Sequence, residues 1–413
     1  MSPTPLLILS DAVTSGTGLG RITKDLATRI ALNLSDVFEV GTAGYGGPYS
    51  RAFPFPQYTI EMKDWVVYNL PEIWKDFAGE RKGILFSIWD SSRLLWLSRP
   101  ENCENPYVRK FLEGTPFQTW LYAPMDATGP HDRLIAILKH TIEGFDRVIA
   151  YSAWAEAILR KTLTRTPILD RLTYLPHGIE TDIFHERPHQ SCRRGFGERI
   201  GGKDRSGAYL SIPDDVLLVG IVATNQIRKD WSLGIAAVAE MARTRKVMLW
   251  AHTDELERHW SLPALISEFG LQQQTIVTTL VFTDEQMACC VSACDIVLQI
   301  GLGEGYGYSA AESLACGTPV VAPNYGGGEW IPPEMLVEPL AYRIEGLYCC
   351  VRPVFTAQKW AQKALSLAGK RTKLPPHLDW NNLWPKWEQW FREGINEASV
   401  DDRTVGQVSA GTP

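Results

Sequence analysis

Short apolar runs alternate with amphipathic stretches along most of this 413-residue chain. Leu6 to Leu9 is an apolar run closed by Ser10 and Asp11, the pattern of a strand buried on both faces. A turn rich in glycine follows, Thr14-Ser15-Gly16-Thr17-Gly18-Leu19-Gly20. Leu19, Ile22, Leu26 and Ile30 then recur at helical spacing, so a helix opens directly after the glycines. Further strands are predicted at Val37–Val40, Gly83–Ile88, Thr119–Tyr122, Val148–Tyr151 and Leu172–Leu175. The alternation stops between about Phe184 and Ile212, a stretch rich in Arg, Gly, His and Pro that reads as a linker. It restarts with strands at Val216–Val222, Val247–Ala251, Thr275–Val281, Asp295–Ile300 and Pro319–Ala322, and helices at Trp231–Arg243, Glu285–Ala293 and Ser309–Cys316. Strand–helix alternation implies parallel sheets covered on both faces, and ligands of such sheets bind beyond the strands' carboxyl ends.

The expected organisation is therefore an α/β chain of two doubly wound domains, residues 1–185 and 213–378, joined by a linker over 186–212. Trp380, Leu383, Trp384, Trp387, Trp390 and Phe391 predict a terminal helix over 379–397 with one aromatic face, Pro385 standing in its first turn. Residues 398–413 are polar and expected to be disordered.

Composition narrows the function little. A formal net charge of −6 argues against a dedicated nucleic-acid binder. The basic run Arg193, Arg194, Arg199, Lys203 and Arg205 reads as a solvated loop. The eight cysteines, including Cys289-Cys290 and Cys349-Cys350, lack the spacing of a zinc site and read as core thiols of a reducing compartment. With no apolar stretch near 18 residues, no transmembrane segment is expected. A cytoplasmic location follows, with peripheral membrane contact left open.

The chemistry concentrates in Gly303-Glu304-Gly305-Tyr306-Gly307-Tyr308-Ser309-Ala310-Ala311-Glu312, followed by Cys316-Gly317-Thr318-Pro319-Val320-Val321. One carboxylate lies in a glycine loop after a strand and the other one turn into the next helix. Carboxylates accept paired hydroxyl hydrogen bonds, as ribose and hexoses present them. Glycines allow close backbone approach to a diphosphate, and a helix start offers free N–H groups to it.

This string resembles the Glu-x7-Glu donor signature of retaining GT-B glycosyltransferases of the family 4 type, the glycosyl transferases group 1. The resemblance implies a GT-B fold, two Rossmann-like domains facing a central cleft, and a hexosyltransferase that uses a nucleotide-sugar donor, UDP- or GDP-linked, without a metal or other cofactor. It implies that Glu304 meets the transferred sugar and Glu312 the ribose, with Gly305, Tyr306, Gly307, Tyr308 and Ser309 around the donor. Asn225, Arg228 and Lys229 stand where the family keeps its diphosphate-binding residues, although the usual Gly-Arg pair reads Ala223-Thr224 here. Gly18 and Gly20 lie in a loop like the family's glycine loop over the cleft. Pro176-His177-Gly178-Ile179-Glu180 resembles the family's Pro-Asn-Gly-Val-Asp segment, with His177 for Asn. Asp126 stands near the place of a family histidine that touches the reacting sugar. Together Glu304, Lys229, Arg228 and Asp126 are the candidates for catalysis.

Trp89, Asp90, Arg93 and His131 follow first-domain strands and are candidates for contact with the acceptor, which the sequence leaves open among a glycan, a lipid-linked sugar, a protein and a modified nucleic-acid base; the oligomeric state is equally open. Two competing readings are an NAD-dependent oxidoreductase using the first glycine loop, with Glu39 as ribose carboxylate, and a non-catalytic GT-B-like binding protein. The loop spacing departs from G-x-G-x-x-G, which weakens the former.

Overall fold

The computed structural model describes residues 2–60, 65–114, 117–203 and 206–408. The apolar runs become strands because each can be buried on both sides: Leu6, Leu7, Ile8 and Leu9 are all fully buried. Seven strands form the first sheet: β1 (Thr4–Asp11), β2 (Phe38–Tyr45), β3 (Gln57–Ile60), β4 (Gly83–Ser87), β5 (Phe117–Ala123), β6 (Arg147–Ala150) and β7 (Thr173–Tyr174), in the order β3-β2-β1-β4-β5-β6-β7. All its pairings are parallel. The second sheet has β8 (Leu217–Val222), β9 (Val247–His252), β10 (Thr275–Thr278), β11 (Ile296–Leu298), β12 (Val320–Pro323) and β13 (Leu336–Val337), again parallel, in the order β10-β9-β8-β11-β12-β13. The two sheets are the Rossmann-like pair expected of a GT-B chain. An antiparallel hairpin, β14 (Ala341–Glu345) and β15 (Cys350–Val354), follows the second sheet. The sequence pattern does not announce this hairpin, because its β14 is largely exposed and carries no apolar run.

Four of the helices that begin beyond the strands' carboxyl ends border the cleft. Helix α1 (Gly18–Asn33) opens after the first glycine turn, where the Thr17 hydroxyl accepts from Gly20 N at 3.1 Å. Helix α2 (Ala153–Thr162) is capped by Ser152, and α3 (Trp231–Ala242) by Asp230, which accepts from Leu233 N at 3.0 Å. Helix α4 (Tyr308–Ala315) starts at Gly307, whose φ of 94° is the left-handed region that favours glycine.

A last helix, α5 (Trp380–Val408), lies against the first sheet. Trp380, Leu383, Trp387, Trp390 and Phe391 are buried with Leu6, Ile8, Phe86 and Trp120, and each contributes roughly 2 kcal/mol by burial. Trp387 also donates to Pro176 O at 2.9 Å. Four expectations change here. Residues 186–212 are not a bare linker: helices at His189–Arg194 and Phe196–Arg199 bring Cys192, Phe196, Ile200 and Ile212 into the second domain's core. Within it Arg193 is buried and paired with Asp295 at 2.8 Å, so it is a structural cation rather than a solvated one; Arg205 lies outside the described residues. Pro385 sits inside α5, because Asp379 starts the helix earlier by accepting from Asn381 N at 2.9 Å. The helical backbone continues to Val408 where disorder was expected, and 409–413 lie outside the described residues.

Candidate functional site

The carboxyl ends of the two sheets meet, and the signature residues lie between them. After β8 the chain turns through 223–230 and pairs with the loop after β11: Leu302 N donates to Arg228 O at 2.8 Å and Asp230 N to Ile300 O at 3.0 Å. This pairing lays Arg228 and Lys229 against Glu304. Lys229 Nζ bonds directly to Glu304 Oε1, and Arg228 Nη1 lies 3.4 Å from Oε2. Across the cleft, Arg228 Nε reaches Asp126 Oδ2 at 3.0 Å. Burial would raise the Glu304 carboxyl, but the two cations outweigh it and hold it below the usual range. Burial lowers the Lys229 ammonium, and Arg228 adds to that, against the pull of Glu304.

Glu312 occupies the other end of the segment. It is 5% exposed on α4 and pairs with Arg21 of α1, from the first domain. Burial dominates over Arg21 here, so this carboxyl is raised. Arg21 also lies over the Tyr308 ring, 4.8 Å from its centroid. Between these ionic ends, buried Tyr306, His177, Tyr151 and Tyr122 form an aromatic layer with partly buried Tyr308. His177 lies 3.9 Å from Tyr306 and bonds the Tyr122 hydroxyl at 3.0 Å. Burial, then Arg21, drives its pKa well down, so it stays neutral. The hydroxyls of Tyr151, Tyr306 and Tyr308 are buried with no partner among the described residues. Polar groups buried in this way usually meet a ligand or water.

Several assigned residues are brought together and others are not. Glu304, Lys229, Arg228 and Asp126 form one connected network. Gly305 passes under Tyr151, and Gly18 lies in ordinary contact with Tyr308, 3.6 Å from a Cβ built there. Gly20 instead packs against Ala12 and Ser15, so its role is to close the turn. Ser309 donates to Gln299 at 3.2 Å, and Ala310 N uses the same oxygen at 3.1 Å. Gln299 therefore occupies part of the helix start that was expected to be free.

Asn225 is a correction. It is fully buried, and its amide bonds Glu255 O at 3.1 Å and Trp260 O at 2.8 Å while its oxygen accepts from Trp260 N. Its polar atoms are spent on folding the 254–260 loop. Trp89 is another: 5% exposed, it donates to Asp11 at 3.1 Å, and Asp11 holds Thr17 of the first glycine turn. It braces that turn from behind. Asp90 is exposed at the end of β4, where desolvation, then the Asp126 charge, raises its carboxyl. Arg93 is exposed on a short turn, Ser91–Arg93. His131, at φ 61°, stands at a cavity between the domains. Glu39 lies at the amino end of β2, paired with Arg81 at 2.6 Å, away from the glycine turn, which removes the carboxylate an NAD site needs.

Sequence reasoning misses Arg21 as a partner and Arg352 altogether. Arg352 on β15 is 6% exposed, donates to Asp126 O at 2.6 Å, and crowds Gly303 so closely that any Cβ there would collide with it. Arg21 is visible in sequence as the cation ending the first glycine turn, whereas no local signal marks Arg352. Among the described residues, no cluster of three metal-ligating side chains occurs. No helix among them is long and apolar enough to cross a membrane.

Residues 213–368 match the family model described as glycosyl transferases group 1. The second domain is thus similar to the glycosyl transferases group 1. A D-inositol 3-phosphate glycosyltransferase of Stackebrandtia nassauensis is 24% identical over 256 residues, covering 58% of this chain and 52% of that protein. The chain thus spans about half the length of the curated relatives it matches first. Among solved structures, sucrose-phosphate synthase from Thermosynechococcus elongatus superposes with a TM-score of 0.65 at 16% identity, over 95% of this chain and 100% of that one. The Anabaena HepE protein, solved in complex with UDP-glucose, gives 0.59 at 14% identity, over 89% and 93%. The matched stretch is therefore joined to a first domain in the GT-B arrangement.

Proposed function

We propose that this chain is a retaining glycosyltransferase that moves a hexosyl group from a nucleotide sugar, UDP-linked in the first instance, to an acceptor hydroxyl without a metal ion. The observation that carries the reading is the Glu304–Lys229–Arg228 cluster at the cleft, within one domain and facing Asp126 of the other. A diphosphate placed against Lys229 and Arg228 gains two cations where charge grows as it leaves. Glu304 would accept hydroxyls of the transferred sugar, and Glu312 those of the ribose once Arg21 yields. In the transfer, the acceptor oxygen bonds to the anomeric carbon, and the bond from that carbon to the diphosphate oxygen breaks with its electron pair. The acceptor proton passes to the departing phosphate oxygen on the same face, so configuration is kept. UDP is favoured as carrier because a fold neighbour was solved with UDP-glucose.

A thermal-shift panel of UDP-, GDP- and ADP-sugars tests the donor, since a ligand that binds only the folded state stabilises it. A UDP-sugar should give the largest rise in Tm, and no rise with any nucleotide sugar sinks the proposal. Proton NMR of the first product then reads the anomeric configuration, and inversion would refute the retaining mechanism.

A further inference from the structure

A cavity of about 410 Å³ lies beside the Glu304 cluster, walled by both domains and by the β14–β15 hairpin. That size suits a single small ring, at the low end for ligand sites. Trp154 at the start of α2 meets Tyr325 edge-on at 5.5 Å, and Tyr325 meets Tyr342 of β14 at 6.1 Å. Aromatic faces of this kind stack against the C–H faces of saturated rings. His131, Asp132 and Glu329 complete the polar part. Glu329 accepts from Trp154 N at 3.3 Å. Among the described residues, no Lys or Arg side chain lines the cavity. Arg352 is adjacent to the lining residue Val351 but bonds Asp126 instead, as alternation along a strand directs. Lys161, a nearby cation, is paired with Asp132 at 3.2 Å. The floor touches the Glu304 loop, where Gly327 N donates to Glu304 O at 2.7 Å.

We propose that this cavity is the acceptor subsite and that it takes an uncharged or cationic polyhydroxylated ring in preference to a phosphorylated one. This rests on the transferase reading proposed for the cleft. Glu329 and the Lys161-paired Asp132 accept ring hydroxyls or an ammonium group, Glu329 disfavours a phosphate, and the aromatic wall holds the ring's apolar face. The β14–β15 hairpin supplies Tyr342 and Val351 to the lining.

The test uses the full chain with the UDP-sugar that stabilises it and three probes: myo-inositol, 2-deoxystreptamine and inositol 3-phosphate. The neutral or the cationic ring should be glycosylated with a kcat/KM about tenfold above the phosphorylated one. Tyr342→Ala, at an exposed position, should raise the acceptor KM about tenfold and leave the donor KM in place. Glu329→Lys should move the preference toward inositol 3-phosphate. Preference of the wild type for the phosphorylated ring, wild-type acceptor KM in both variants, or donor binding with no transfer to any probe would each overturn the subsite. A wild type that binds no nucleotide sugar would overturn the transferase reading and this one with it.

Discussion

Glu304 and Glu312 lie in one short segment but are held in opposite ways. Glu304 is paired inside its own domain with two cations, Lys229 and Arg228, and its carboxyl is lowered. Glu312 is paired across the cleft with one, Arg21, and its carboxyl is raised by burial. The difference teaches that one end of the signature is prepared before any ligand arrives. The other end depends on how the two domains sit. A movement that separates α1 from α4 breaks the Arg21 contact and leaves the Glu304 cluster intact.

The comparison breaks most visibly at Lys229. Lys229→Ala removes a cation from the leaving diphosphate and should lower kcat by 10²- to 10³-fold, about 3 kcal/mol, in steady-state kinetics. If Glu304 and Glu312 were equivalent, Glu312→Ala would do the same. We expect instead a donor Kd weaker by about 2 kcal/mol in calorimetry, with kcat closer to wild type. Arg21→Ala should cost about 1.5 kcal/mol of stability and enlarge the ligand-free radius of gyration in X-ray scattering, while Glu304→Gln leaves that radius unchanged.

The smallest effect is a pH dependence on the α1 side. Asp25 is buried beside Trp380 of α5, and burial pushes its carboxyl up to about 6, against the pull of Arg21, Lys24 and Arg29 and with a push from Glu180. A folded-state value above the unfolded one means the folded protein holds the proton more tightly. That contribution is fully present below about 4, is lost as pH rises through about 6, and amounts to about 1 kcal/mol between pH 5 and 7. Wild-type Tm relative to Asp25→Asn should therefore rise as pH falls from 7 to 5. A flat difference would place Asp25 in a wetter setting.

Much of this architecture is legible without the structure. The runs at Leu6–Leu9 and Val216–Val222 announce buried parallel strands because a strand covered on both faces must be apolar throughout. The Gly303–Glu312 string announces its loop and helix because a left-handed turn at Gly307 and close packing at Gly303 admit little else. Asn225 misleads because a polar residue in a site loop reads alike whether it meets a ligand or its own backbone. Trp89 misleads similarly, since its position after a strand gives the loop but not which way the ring turns.

The sequence by itself determined two parallel sheets, most of their strands except β3 and β13, and the acidic segment between them, all from patterns a few residues long. Only the tertiary structure decided that Arg21 would meet Glu312 across 291 positions and that Arg352 would reach Asp126 across 226. Periodicity reports which face of an element is buried, and that is a local property. The partner of a charge is set by where distant elements come to rest, so it appears only once both domains and the hairpin are packed.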